Sequence, residues 1–208
     1  IYAYRVQEKR KQALEAWARG LGLSFTRDSD SAVEDRYPAL KCLREGDDRY
    51  ARNIATGSRG KYRICAFDYH YQTHSRDSKG NRTTTDHNFS SVIIETPLAL
   101  KPLHIRTENV FDKVGEFVGI DDIDFESAEF SRQFYVTAPD RKWAFDVLHQ
   151  EAMEFLLGAP RFLIEFQNGY AVARRKSTFS PDEFDAALNV VTGLVDRLPQ
   201  SVVRELGG

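Results

Sequence analysis

Apolar residues recur every three or four positions at Val6, Ala13, Leu14, Trp17, Ala18 and Leu21, which predicts an amphipathic helix over residues 4–19. Gly20 and Gly22 then supply the stop. Residues 26–35 are polar and acidic and read as a loop, and Pro38 opens a short helical segment ending at Leu43. From Arg49 the period changes to two. Residues 49–56 and 61–74 read as strands joined by the turn GSRG. A polar stretch over 75–83 leads into a third strand over 84–96. Centring that second hairpin near Lys79 and Gly80 puts Phe67 opposite Val92, Cys65 opposite Ile94 and His87 opposite Gln72. The three strands form an antiparallel meander.

Further along, a short edge strand is expected over 103–106, then a short helix carrying Val110, Val114 and Phe117, then a strand over 133–138. Asp140 is placed to cap a helix running to Leu157, whose Ala144, Val147, Leu148, Phe155 and Leu156 share one face. Asn168-Gly169, between strands over 161–167 and 170–175, suits a tight two-residue hairpin turn. Ser180 caps, and Pro181 opens, the helix of FSPDEFDAALNVVTGLVDRL. The expected fold class is α+β: a largely antiparallel β-sheet (meander plus C-terminal hairpin) with helices packed on it and an N-terminal amphipathic helix. Residues 1–22 form a basic helical segment and 23–208 a single α+β domain.

Composition narrows the function classes. Of 208 residues, 41% are hydrophobic and 29% charged, the balance of a soluble globular domain. A net charge of −2 disfavours a polyanion binder, so the expected partner is a protein and no nucleic acid is expected. Cys42 and Cys65 lack metal-ligand spacing and read as small buried thiols in a reducing compartment, a disulfide between them being the lesser alternative. No apolar run approaches the ~20 residues that cross a bilayer.

Three sets of residues are candidates for chemistry. His70 and His74 share one face of a strand, the expected register adds His87 between them, and Asp68 and Asp86 are near in sequence; three imidazoles and a carboxylate make a weak zinc-site alternative, which would make the protein a metal-dependent hydrolase. Phe67, Tyr69 and Tyr71 share the other face near Arg49, Arg52 and Arg63, an alternative platform for single-stranded nucleic acid, although strand aromatics ordinarily serve packing. Asp68 sits amid apolar strand residues and needs a partner such as Arg52 or Arg63, or a function; a structural ion pair is the favoured reading. Asp121, Asp122, Asp124 and Glu126 lack the glycine and terminal glutamate of an EF-hand and read as a solvated turn. No phosphate loop, nucleophile elbow or Cys-x-x-Cys pair is present, so no catalytic residue and no cofactor is assigned.

The blocks ARNIATG, CAFDYHY, DFESAEFSRQFYVTAPD and FLIEFQNGYAVARR together resemble an uncharacterised family of bacterial membrane-anchored proteins with a cytoplasmic domain of unknown function. The matching positions are Asn53 and Gly57, Asp68 and Tyr69, Phe130 and Phe134, and Asn168-Gly169. The resemblance implies an anchoring segment before a cytoplasmic domain, with Phe130 and Phe134 as core anchors and no catalytic residue. The opening IYAYRVQEKRK agrees: Ile1–Tyr4 read as the interfacial end of a membrane segment that lies outside this chain. Arg5, Lys9, Arg10 and Lys11 read as its positive-inside flank at the cytoplasmic face of the inner membrane. The leading expectation is a non-enzymatic protein-interaction or scaffold module.

Overall fold

A computed structural model describes residues 2–76, 78–107 and 122–207. The expected helix carrying Val110, Val114 and Phe117, together with Asp121, lies outside the described residues. Contacts divide the chain into two compact units, Ile1–Val92 with Arg175–Asp185, and Ile93–Arg174 with Ala186–Gly208.

The first unit begins with α1 (Tyr2–Gly20), close to the expected helix. Two elements the periodicity does not announce follow: β1 (Ser24–Thr26) and α2 (Val33–Arg36), with a 3₁₀ turn at Lys41–Leu43 in place of a helix from Pro38. Then come β2 (Asp47–Arg59), β3 (Tyr62–Arg76) and β4 (Arg82–Glu95), with β1 to β4 side by side in that order. The β2–β3 turn falls later than expected. Gly57 and Ser58 stay paired with Ile64 and Arg63, and Arg59 faces Tyr62, leaving Gly60 at φ 58° and Lys61 as the two-residue loop. β2 bulges twice, between Asp47 and Tyr50 and between Arg52 and Ala55, where Asp48 and Asn53 take φ of 49° and 51°.

The β3–β4 register differs from expectation by one residue. Asp68 meets Ser90, Gln72 meets Asp86 and His74 meets Thr84, so the loop is centred on Lys79 rather than between Lys79 and Gly80. Gly80, at φ 84°, provides the left-handed residue of such an odd-length loop. β3 is buried on both faces from Ile64 to His70, which explains its near-continuous apolar run.

In the second unit the strands lie in the order β8, β7, β5, β6. β5 (Leu103–Thr107) pairs on both sides and is no edge strand; the edge is β6 (Phe134–Thr137), preceded by the unanticipated α3 (Ala128–Gln133). The Asp140-capped helix is two helices, α4 (Arg141–Val147) and α5 (Gln150–Gly158), with the break at Leu148 and His149. The His149 ring meets the Arg197 carbonyl at 2.8 Å in that break. β7 (Leu163–Gln167) and β8 (Tyr170–Arg175) close on Asn168 and Gly169, both at positive φ, as expected. α6 (Pro181–Asp196) starts in the first unit and ends in the second, and α7 (Gln200–Leu206) follows. Phe130 and Phe134 stack at 4.6 Å in the second core. The fold class is α+β with an antiparallel sheet arrangement, as anticipated.

Candidate functional site

The sequence candidates converge on the first unit, where β3 places even-numbered residues under α1 and odd-numbered residues on the opposite face. Asp68 is the hub of the α1 side and only 1% exposed. Its carboxylate accepts both Arg10 terminal nitrogens at 2.7 and 2.8 Å, the Asn53 amide at 2.8 Å and the Ser90 hydroxyl. The Arg10 guanidinium also donates twice to the Phe179 carbonyl, and the Phe179 N–H donates to Ser90. Every donor has a local cause. Arg10 lies on the stripe that carries Leu14, Trp17 and Ala18. Asn53 is turned by its bulge, and Ser90 stands opposite Asp68 across the hairpin. The structural ion pair is present, but its partner is neither Arg52 nor Arg63. Arg52, although level with Asp68, donates to Asn88 at 3.2 Å, and Arg63 is exposed beside the Gly60 turn.

The histidines do not assemble as a trio. The one-residue change of register carries His87 to the other face, where it stacks on Tyr71 at 4.5 Å and meets the Thr73 hydroxyl at 2.8 Å. His70 and His74 stay together on the α1 side but face carboxylates instead. His70, 8% exposed, stacks on Tyr50, and its Nε2 lies 3.8 Å from Asp48 and 3.8 Å from Asp86. His74 Nε2 lies 3.7 Å from Asp47, and its Nδ1 meets Thr84. Among the described residues no group of three or more His, Cys, Asp or Glu side chains is arranged to hold a metal ion. Asp86 is the carboxylate expected near the histidines, whereas Asp47 and Asp48 were not singled out by sequence reasoning; their signal was the acidic doublet of GDDRY at the start of a strand.

The aromatic face is packed rather than open. Phe67, Tyr69 and Phe89 are buried, the Tyr69 hydroxyl donates to the Leu43 carbonyl at 2.6 Å, and burial pushes that phenol well above its usual range. Two of the three rings that would stack bases, Phe67 and Tyr69, are therefore inside the unit, and the third, Tyr71, is half-buried and stacked on His87. Cys42 and Cys65 are buried and are not joined in a disulfide.

On α1 the basic residues divide by role. Arg10 is held by Asp68 and Lys11 pairs with Glu8 at 2.9 Å, which leaves Arg5 and Lys9 as the exposed cations near the helix start. Beside them Tyr4 and Val6 are 71% and 50% exposed, large apolar side chains left open to solvent. Among the described residues no helix is long and apolar enough to cross a membrane.

No protein-family model and no curated protein sequence matches the chain. Its fold is similar to the crystal structure of the mycobacterial trehalose monomycolate transport factor A, TtfA. That likeness has a TM-score of 0.65 and 13% identity, over 91% of this chain and 96% of that one.

Proposed function

We propose that this chain is a non-enzymatic accessory module that binds a protein partner at the cytoplasmic face of a bacterial inner membrane, with the start of α1 directed toward that membrane. The observation that carries the reading is the division of α1. Its second half is fixed to the sheet by the buried Arg10–Asp68 pair and the Leu14–Trp17–Ala18 stripe, whereas its first turns present Tyr4 and Val6 beside Arg5 and Lys9. Exposed tyrosine next to lysine and arginine is the composition of a cytoplasmic membrane flank. The name of the fold neighbour, a transport factor, supports placing the module in a transport assembly. The dispersal of the histidines removes the geometry on which a hydrolase reading depended.

Fractionation of host cells tests this reading. The native gene product is expected to sediment with the inner membrane and to resist high-salt extraction; recovery wholly in the soluble fraction would overturn it.

A further inference from the structure

We infer that the tip of the β3–β4 hairpin, with Arg76, Lys79 and Arg82, is a second membrane contact that rests on anionic phospholipid headgroups at the same end of the first unit as the start of α1. The inference rests on the proposed membrane-facing orientation and names the lipid chemistry that this orientation serves.

Packing does not explain the length of this hairpin. From Gln72 to Asn88 no residue is apolar. The last four residues of β3, Thr73 to Arg76, and the first five of β4, Arg82 to Asp86, are exposed at successive positions, so both faces of the ribbon are bare. Polar contacts tie its strands together: Gln72 donates to Asp86 at 2.9 Å, and the His74 ring meets the Thr84 hydroxyl at 3.0 Å. A two-stranded ribbon without an apolar face adds nothing to a core and is marginal in water by itself. Its extension past the sheet is explained instead by what it reaches.

It reaches the end of the unit at which α1 begins. Arg10 is fixed at Asp68 of β3. Leu23, just past the helix, packs on Gly57 of β2, where an added Cβ would lie 2.8 Å from the leucine side chain. Gly57 pairs with Ile64. The chain from Arg10 to Leu23 therefore passes down β3 from the level of Asp68 to that of Ile64. Residues before Arg10 run the opposite way, toward the β3–β4 hairpin, and Tyr4 stands about 9 Å of helix ahead of Arg10.

The tip carries the charge that an anionic surface attracts. The stretch SRDSKGNR sets three cations against the single acid Asp77, and Arg76, Lys79 and Arg82 are exposed. The acids of that end, Asp47, Asp48 and Asp86, stand at the root of the hairpin, Asp47 opposite Gln72 and Asp48 beside His70. Asp86 is four residues from Arg82. That is about 13 Å along a strand, more than the length over which physiological salt leaves exposed charges coupled. Having no apolar side chain, the tip stays at headgroup level, where lysine and arginine are drawn to anionic lipid without insertion. Tyr4 and Val6, beside Arg5 and Lys9, supply the apolar part of the contact.

The test uses the full 208-residue chain in co-sedimentation with vesicles of phosphatidylcholine containing about one-third phosphatidylglycerol, at low salt. The parent should bind these vesicles and lose most of that binding on pure phosphatidylcholine. Arg76→Gln/Lys79→Gln/Arg82→Gln is expected to weaken binding about tenfold or more. The control Arg59→Gln/Lys61→Gln/Arg63→Gln removes the same charge from the opposite end of the β2–β3 hairpin and should bind nearly as the parent does. Equal losses in the two variants, no binding of the parent to the anionic vesicles, or saturable binding of a DNA duplex in place of vesicles would overturn the inference. Fractionation of the native gene product does not depend on this result, so the inference can fail while the membrane reading stands.

Discussion

Replacing Arg10 by Met should be among the most damaging single changes in the first unit. The substitution keeps much of the aliphatic stem but leaves the Asp68 carboxylate, 1% exposed, without its cation. Breaking a buried pair from one side costs about 3–5 kcal/mol, because the remaining charge stays desolvated. Here the lower end applies: the Arg10 side chain is 26% exposed, and Asn53 and Ser90 still donate to the carboxylate. Urea unfolding followed by circular dichroism reads the effect. With a slope of about 2 kcal/mol per molar, a loss of about 3 kcal/mol lowers the midpoint by roughly 1.5 M. The double variant Arg10→Met/Asp68→Asn should recover part of that loss, since the orphaned charge is gone. Arg52→Met and Arg63→Met should each cost no more than about 1 kcal/mol. A loss under about 1 kcal/mol for Arg10→Met, or a larger one for Arg52→Met, would refute the assignment of Arg10 as the partner.

Other expectations are smaller. Gly169→Ala places a side chain at φ 84° with its Cβ 3.4 Å from the Leu98 carbonyl and should lower stability by about 1 kcal/mol in thermal melts. Ser180→Ala removes a capping box in which the Ser180 hydroxyl accepts from the Glu183 N–H and the Glu183 carboxylate accepts from the Ser180 N–H; about 1 kcal/mol should be lost. The Ser180 N–H and the Arg175 guanidinium hold the Glu183 carboxyl below its usual range, and Arg49 does the same for Glu34. A depressed folded-state value stabilises the native state above the ordinary glutamate range and loses that contribution as pH falls through the lowered value. Glu34→Gln should therefore flatten the acid limb of the stability profile below about pH 4.5.

The long hairpins were legible because their signals are local: a period of two, glycine where φ is positive, and Asn-Gly where two successive residues need it. Elements of three to six residues, β1, α2 and α3, carry too few positions for any period to show. The one-residue register difference came from the loop around Lys79. A shift of half a residue in its centre moved His87 across the sheet and dissolved the metal-site candidate. The partner of Asp68 was hidden by distance, since Arg10 is 58 positions away, while Arg52 was the obvious cross-strand neighbour. One clue was present all the same. Arg10 continues the Leu14–Trp17–Ala18 stripe, and a charged residue on the buried face of a helix requires a buried counter-charge.

The claim that the start of α1 faces a membrane is tested most directly by nitroxide labels at positions 4 and 61 of the native gene product in inner-membrane vesicles. The first position is on the exposed first turns of α1, and the second is in the β2–β3 turn beside Gly60. The account predicts that the label at position 4 is quenched by lipid-dissolved oxygen and shielded from a water-soluble nickel chelate, with the reverse at position 61. Equal access of the chelate to both labels would contradict it.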